Sequence, residues 1–98
     1  MAESPRYTIE VSRSAQRSLR SLRKDRQLLG RIDRAIRALV LEPRPSYCKV
    51  MVGKQFDNLY RIRVGDWRIL YAIEDDRLVA LILDVVHVVR RDQTYRAR

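Results

Sequence analysis

Apolar and polar residues alternate with a period of two on either side of Gly65-Asp66. From Leu59 to Tyr71 the chain reads Leu-Tyr-Arg-Ile-Arg-Val-Gly-Asp-Trp-Arg-Ile-Leu-Tyr, which predicts a β-hairpin, and a two-residue loop with Gly first suits a type II′ turn. That turn sets Val64 opposite Trp67, Arg63 opposite Arg68, Ile62 opposite Ile69 and Arg61 opposite Leu70. One face then gathers Tyr60, Ile62, Val64, Trp67, Ile69, Tyr71 and Ile73, an apolar surface that must be buried; the three aromatic residues are assigned to the core rather than to base stacking. The other face gathers Arg61, Arg63 and Arg68. Like charges directly opposed across a strand pair destabilise it by up to about 1 kcal/mol. A bound anion would resolve that conflict, whereas arginines splayed into water would leave a plain solvated face.

The rest of the chain supplies what the apolar face needs. Tyr7 to Val11 is rich in β-branched and aromatic types and predicts a strand. Ser12 suits a helix N-cap, and Ala15, Leu19 and Leu22 recur at helical spacing, so residues 13–23 should form a short amphipathic helix. Asp25 is placed to cap a second helix, whose apolar stripe Leu28, Leu29, Ile32, Ala35, Ile36, Leu39 and Val40 is closed by Glu42-Pro43 and Pro45. Gly30 in its interior suggests close helix packing or an earlier break. With so short a connection, the two helices should form an antiparallel hairpin. Tyr47 to Val52 predicts a short strand, followed by a loop around Gly53 to Asn58. After the central hairpin comes a turn at Glu74 to Arg77, and Leu78 to Val88 forms a last strand, apolar enough to imply that both of its faces are covered. A two-residue turn at Asp75-Asp76 puts Val79, Leu81, Leu83, Val85 and His87 on the face of Arg68; a longer loop slips this by one and sends His87 to the helix side. The sum is an α+β fold in which an N-terminal strand and a helical hairpin pack on one face of a small, mostly antiparallel twisted sheet, one domain over residues 1–98.

Charge changes the picture from architecture to partner. The 98 residues carry 21 Lys plus Arg against 12 Asp plus Glu, a formal charge of +9, so a polyanion is the natural partner and nucleic acid leads. Arg13, Arg17, Arg20 and Lys24 recur at helical spacing and form a cationic stripe suited to tracking a phosphate backbone, with a solvated face as the plain alternative. Lys49 and Lys54 add charge near the hairpin. The single Cys48 and single His87 leave no internal disulfide and exclude the usual zinc spacings, so no metal is expected. No secretory signal and no membrane-length apolar run is read, and a reducing cytoplasm is the expected compartment.

The hairpin segment, followed by an acidic turn, an apolar strand, His87 and a basic Arg-Arg-Asp run ending in Tyr95, resembles the RelE/ParE superfamily of bacterial toxins over nearly the whole chain. It is most similar to the RelE branch, whose members are ribosome-dependent mRNA endonucleases held inactive by a cognate antitoxin. The resemblance implies functional roles for Arg61, Arg63, Arg68 and Tyr95, and for Arg90 or Arg91 as the C-terminal arginine. It implies an acidic antitoxin, the ribosome and mRNA as partners, and no small-molecule cofactor. Arginine forks suit phosphate oxygens and remain protonated, so proton transfer falls more naturally to Tyr95 or His87; a structural histidine at a strand end is the plain alternative for His87. Two other classes stay open: a ParE-like DNA gyrase inhibitor without nuclease activity, and a non-catalytic basic RNA-binding module.

Overall fold

The computed structural model describes residues 5–51 and 58–88. In chain order it comprises β1 (Thr8–Val11), α1 (Arg13–Ser21), α2 (Arg26–Ala38), β2 (Lys49–Val50), β3 (Leu59–Val64), β4 (Trp67–Glu74) and β5 (Val79–His87). The strands form one sheet in the order β1-β5-β4-β3-β2, antiparallel except for the β1–β5 pair. The two helices pack on one face of it, α1 over β5 and α2 toward β3.

The caps are those that the sequence provides. Ser12 Oγ accepts from the Ala15 N–H at 3.0 Å, and the Asp25 carboxylate accepts from the Leu28 N–H at 3.1 Å, each satisfying an orphan donor of a first helical turn. Both helices stop about two residues earlier than the periodicity suggests, at Ser21 and Ala38, because their last apolar residues close in tighter turns. Gly30 neither breaks α2 nor marks close packing: the helix runs through it, and a Cβ there would meet only the tip of Arg34, at 3.9 Å. The predicted strand from Tyr47 shrinks to Lys49–Val50.

The β3–β4 hairpin has the expected register throughout, with Arg63 opposite Arg68 and Val64 opposite Trp67. Gly65 has φ 58° and Asp66 is not in the positive-φ region, as a type II′ turn requires. Below the hairpin lies the core. Tyr71, Ile32, Leu39, Ile62, Ile69, Ile73 and Ile82 are fully buried, and each aliphatic side chain contributes about 1.5–3 kcal/mol relative to exposure. Tyr71 hides its hydroxyl as well, donating to the Pro43 carbonyl at 2.8 Å, and burial raises its pKa above the ordinary tyrosine value.

The β4–β5 connection departs from expectation in two ways. Glu74 pairs with Val79, so the loop holds four residues, Asp75 to Leu78, with Leu78 at φ 54°. Lengthening a loop by two leaves parity unchanged, and Val79 and Leu81 do share the face of Arg68. A β-bulge then intervenes: Tyr71 pairs with Ile82 but Leu70 pairs with Asp84, leaving Leu83 as the extra residue. Beyond it every side chain is on the opposite face from that expected, so Val86 lies opposite Arg68 while Val85 and His87 turn to the helix side. Ser12 secures the bulge, its N–H bonding the Ile82 carbonyl at 2.9 Å and its hydroxyl the Leu83 carbonyl at 2.6 Å. On the face away from the helices Leu70, Ala72, Leu81 and Val86 remain only half-buried, so the described residues do not cover both faces of β5.

A polar clasp ties the β4–β5 loop to the helical layer's edges. Asp75 accepts from Tyr7 Oη at 2.6 Å and from Arg44 at 2.8 and 3.1 Å; Arg44 also donates to Tyr60 Oη at 2.9 Å and lies over its ring. The hydrogen bonds from Arg44 and then Tyr7 hold the Asp75 carboxyl down to about 2, against an ordinary 3.8. Because folding depresses this pKa, the clasp stabilises the fold fully above the ordinary value and ceases to do so as pH falls through about 2. In urea unfolding, the stability gap between the parent chain and Asp75→Asn should hold steady from about pH 7 to 5 and vanish between about pH 4 and 2. Tyr71→Phe should cost about 1–2 kcal/mol in the same measurement, by leaving the Pro43 carbonyl unpaired.

Candidate functional site

The parity set by the Gly65-Asp66 turn carries Arg61, Arg63 and Arg68 to the sheet face away from the helices, and the β2–β3 pairing adds Lys49, directly opposite Arg61. These residues, with Tyr47 and Ile62, line a cleft of about 160 Å³. Two like-charge pairs thus stand side by side, Lys49 with Arg61 and Arg63 with Arg68. Among the described residues none of the four joins an ion pair; the salt bridges present involve Arg37, Arg44 and Arg77. Arg63 is steered by its Nε, which donates to the Gly65 carbonyl at 2.9 Å, leaving the terminal nitrogens of its fork for another acceptor.

Asp84, which the register brings opposite Leu70, is drawn elsewhere. Its carboxylate accepts from Ser18 Oγ and from the Val85 N–H, both at 2.8 Å. Burial opposes its charge, but the hydrogen bonds from Ser18, Val85 and Ser14 outweigh this and lower its pKa. The carboxylate is therefore committed to α1. Such a cluster of unneutralised donors on a rigid ribbon is suited to the oxygens of a phosphate.

Tyr47 was not singled out by sequence, where it reads as the start of a strand. It stands instead in the turn before β2, 57% exposed, and the only available signal was an aromatic residue two positions from Lys49. His87 lies away from the arginine cleft: the bulge sends it to the helix side, where its ring meets Trp67 edge-on with centroids 5.1 Å apart. Trp67 itself is only half-buried, at the margin of the core.

The predicted cationic stripe is largely gathered at one end of α1. Arg17, Arg20 and Lys24, joined by Arg23, surround an open depression of about 420 Å³ at the end of α1; Arg13 is exposed at the start of the same helix. Lys54, Arg90, Arg91 and Tyr95 lie outside the described residues. No helix among the described residues is long and apolar enough to cross a membrane.

Comparison with known proteins gives this geometry a family. A chain of the toxin–antitoxin complex RelBE2 from Mycobacterium tuberculosis is 29% identical, with 84% of this chain and 98% of that one covered and a TM-score of 0.69. A chain of the archaeal RelE–RelB complex from Pyrococcus horikoshii OT3 is 26% identical, covering 86% and 97%, with a TM-score of 0.72. The isolated E. coli RelE toxin shares the fold, with a TM-score of 0.76 over 93% of this chain and 94% of that one, at 18% identity. No curated protein matches the sequence. Residues 9–92 match the family described as the ParE toxin of the type II toxin-antitoxin system, parDE. The chain belongs to that ParE toxin family, within the RelE/ParE superfamily, and is the toxin of a toxin–antitoxin system.

Proposed function

We propose that this toxin is a ribosome-dependent mRNA endonuclease of the RelE type. The observation that carries the reading is the convergence of Lys49, Arg61, Arg63 and Arg68 on one cleft, with like charges opposed and no described carboxylate paired to them. Metal-independent cleavage needs a ribose 2′-hydroxyl to attack the adjacent phosphorus in line, while charge grows on the phosphoryl oxygens and the 5′-oxygen leaves. The arginines would hold the phosphate and stabilise that charge. They remain protonated and are poor proton carriers. Within the described residues the Tyr47 phenol and the Lys49 ammonium line the cleft as its non-arginine proton-bearing groups; Tyr95, with Arg90 or Arg91, is the contribution that the family resemblance assigns to the C-terminal segment. His87, facing the helices, is assigned no step.

The α1 depression would track a second stretch of RNA backbone through Arg17, Arg20 and Lys24, with Arg13 further along. The antitoxin that the toxin answers to would present acidic side chains to the arginine face, and its half-exposed apolar neighbours Leu70, Leu81 and Val86 would meet the apolar side of the same segment. The action is placed in the cytoplasm, where mRNA is translated. The second reading, a gyrase inhibitor without nuclease activity, is favoured by the description of the matching family as ParE toxins.

Purified toxin added to a translating extract should cut mRNA within codons, read by mapping RNA ends, while a gyrase supercoiling assay is unaffected; intact mRNA with arrested supercoiling would establish the second reading instead. Arg68→Ala should lower cleavage by about 10²–10³-fold, as loss of a charge-stabilising donor does elsewhere. A functional cost should also be visible in stability: Arg68→Thr, relieving the charge opposed to Arg63, should stabilise the fold by several tenths up to about 1 kcal/mol at low salt.

A further inference from the structure

On the helix side of the same hairpin turn there is a second cavity, of about 320 Å³, between the start of α2 and the β3–β4 turn. Its walls are Asp25, Gln27, Leu28, Arg31, Asp66 and Trp67, with Gly65 at the rim. The chemistry of these walls is uneven in an informative way. Trp67 and Leu28 are half-buried and supply an aromatic and an aliphatic surface. The Asp25 carboxylate is already used in capping α2. The Arg31 and Asp66 side chains are exposed, line one cavity, and among the described residues form no ion pair with each other or with another residue. The Arg31 guanidinium lies over Gly65, where a Cβ would be in ordinary contact with it at 3.4 Å, so the arginine reaches from α2 to the hairpin turn.

A planar, aromatic ligand bearing paired donors on one edge and paired acceptors on another would use every one of these groups. Among nucleobases guanine has that arrangement: its O6 and N7 accept from an arginine fork, and its N1–H and N2 amino group donate to a carboxylate. An aromatic side chain adds stacking that any base enjoys. We propose that this cavity is a nucleobase pocket that takes guanine, with Arg31 and Asp66 reading its edges and Trp67 contacting its ring. The proposal rests on the RNA reading given above and deepens it, naming the base that lies across the hairpin turn from the phosphate held by Arg61, Arg63 and Arg68.

Trp67 is the only tryptophan in the sequence and lines the pocket, so its selectively excited fluorescence reads events there, with inorganic phosphate titrated as the control for binding at the arginine cleft. Titration of the whole protein with guanosine 5′-monophosphate should quench that fluorescence saturably, and the adenosine, cytidine and uridine monophosphates should bind about tenfold or more weakly. Arg31→Gln and Asp66→Asn, both surface changes that should leave the circular dichroism spectrum intact, should each weaken the guanosine nucleotide about tenfold and bring the four bases toward parity. Equal quenching by all four nucleotides, absence of quenching, or indifference to both substitutions would overturn the pocket. Inorganic phosphate separates this from the arginine cleft, because it should raise the melting temperature of the parent and of both pocket variants alike. Loss of that phosphate effect with guanosine selectivity intact would remove the clamp and leave the pocket standing.

Discussion

An even-numbered turn, Gly65-Asp66, decides which side of the ribbon each residue of β3 and β4 occupies. Because strand side chains alternate, one parity places Ile62, Val64, Ile69, Tyr71 and Ile73 under the helices and the cations outside. A turn one residue longer would put Arg68 on the face opposite Arg61 and Arg63, burying either it or them without partners at a cost of several kcal/mol for each charge. Core and cleft are therefore one decision. The arginines cannot separate from one another without unpicking the hydrogen-bond ladder that buries the isoleucines behind them.

Most carboxylates on the sheet have partners of their own away from the arginine cleft. Asp75 is committed to Arg44 and Tyr7, Asp84 to Ser18, and Glu10 and Glu74 to Arg77. Two cavities flank the hairpin, one on the face away from the helices lined by cations and one on the helix side lined by Trp67 with Arg31 and Asp66. The same ribbon thus carries surfaces of quite different chemistry on its two faces.

Much of this was legible in the sequence because it depends on local rules. Period-two alternation with Gly65 first in the turn gives the β3–β4 register, and Ser12 and Asp25 give the helix starts. What was not legible depends on contacts between distant residues. Nothing in Leu81-Ile-Leu-Asp-Val-Val-His87 marks Leu83 as the extra residue, since the run is apolar on both parities; the bulge is secured by Ser12, far away in the chain. The helix-side position of His87, one of the two that the loop length left open, comes from that bulge and not from the loop. Tyr47 escaped notice because its position comes from a turn that prolines and packing shape; Trp67, assigned to the core, lies only at its margin, because sequence cannot distinguish a buried aromatic from one at the edge.

The parallel pairing of β1 with β5 sets the order in which the molecule is completed. The first described strand has no neighbour but one of the last to be synthesised, and α1 rests on that same strand. Closing so long a span is entropically costly until the intervening hairpin has formed, so β3–β4–β5 is the natural nucleus and β1 the final addition. During translation the apolar sides of β1 and α1 wait uncovered until β5 leaves the ribosome. A growing chain of this toxin therefore completes its sheet only once β5 has been made.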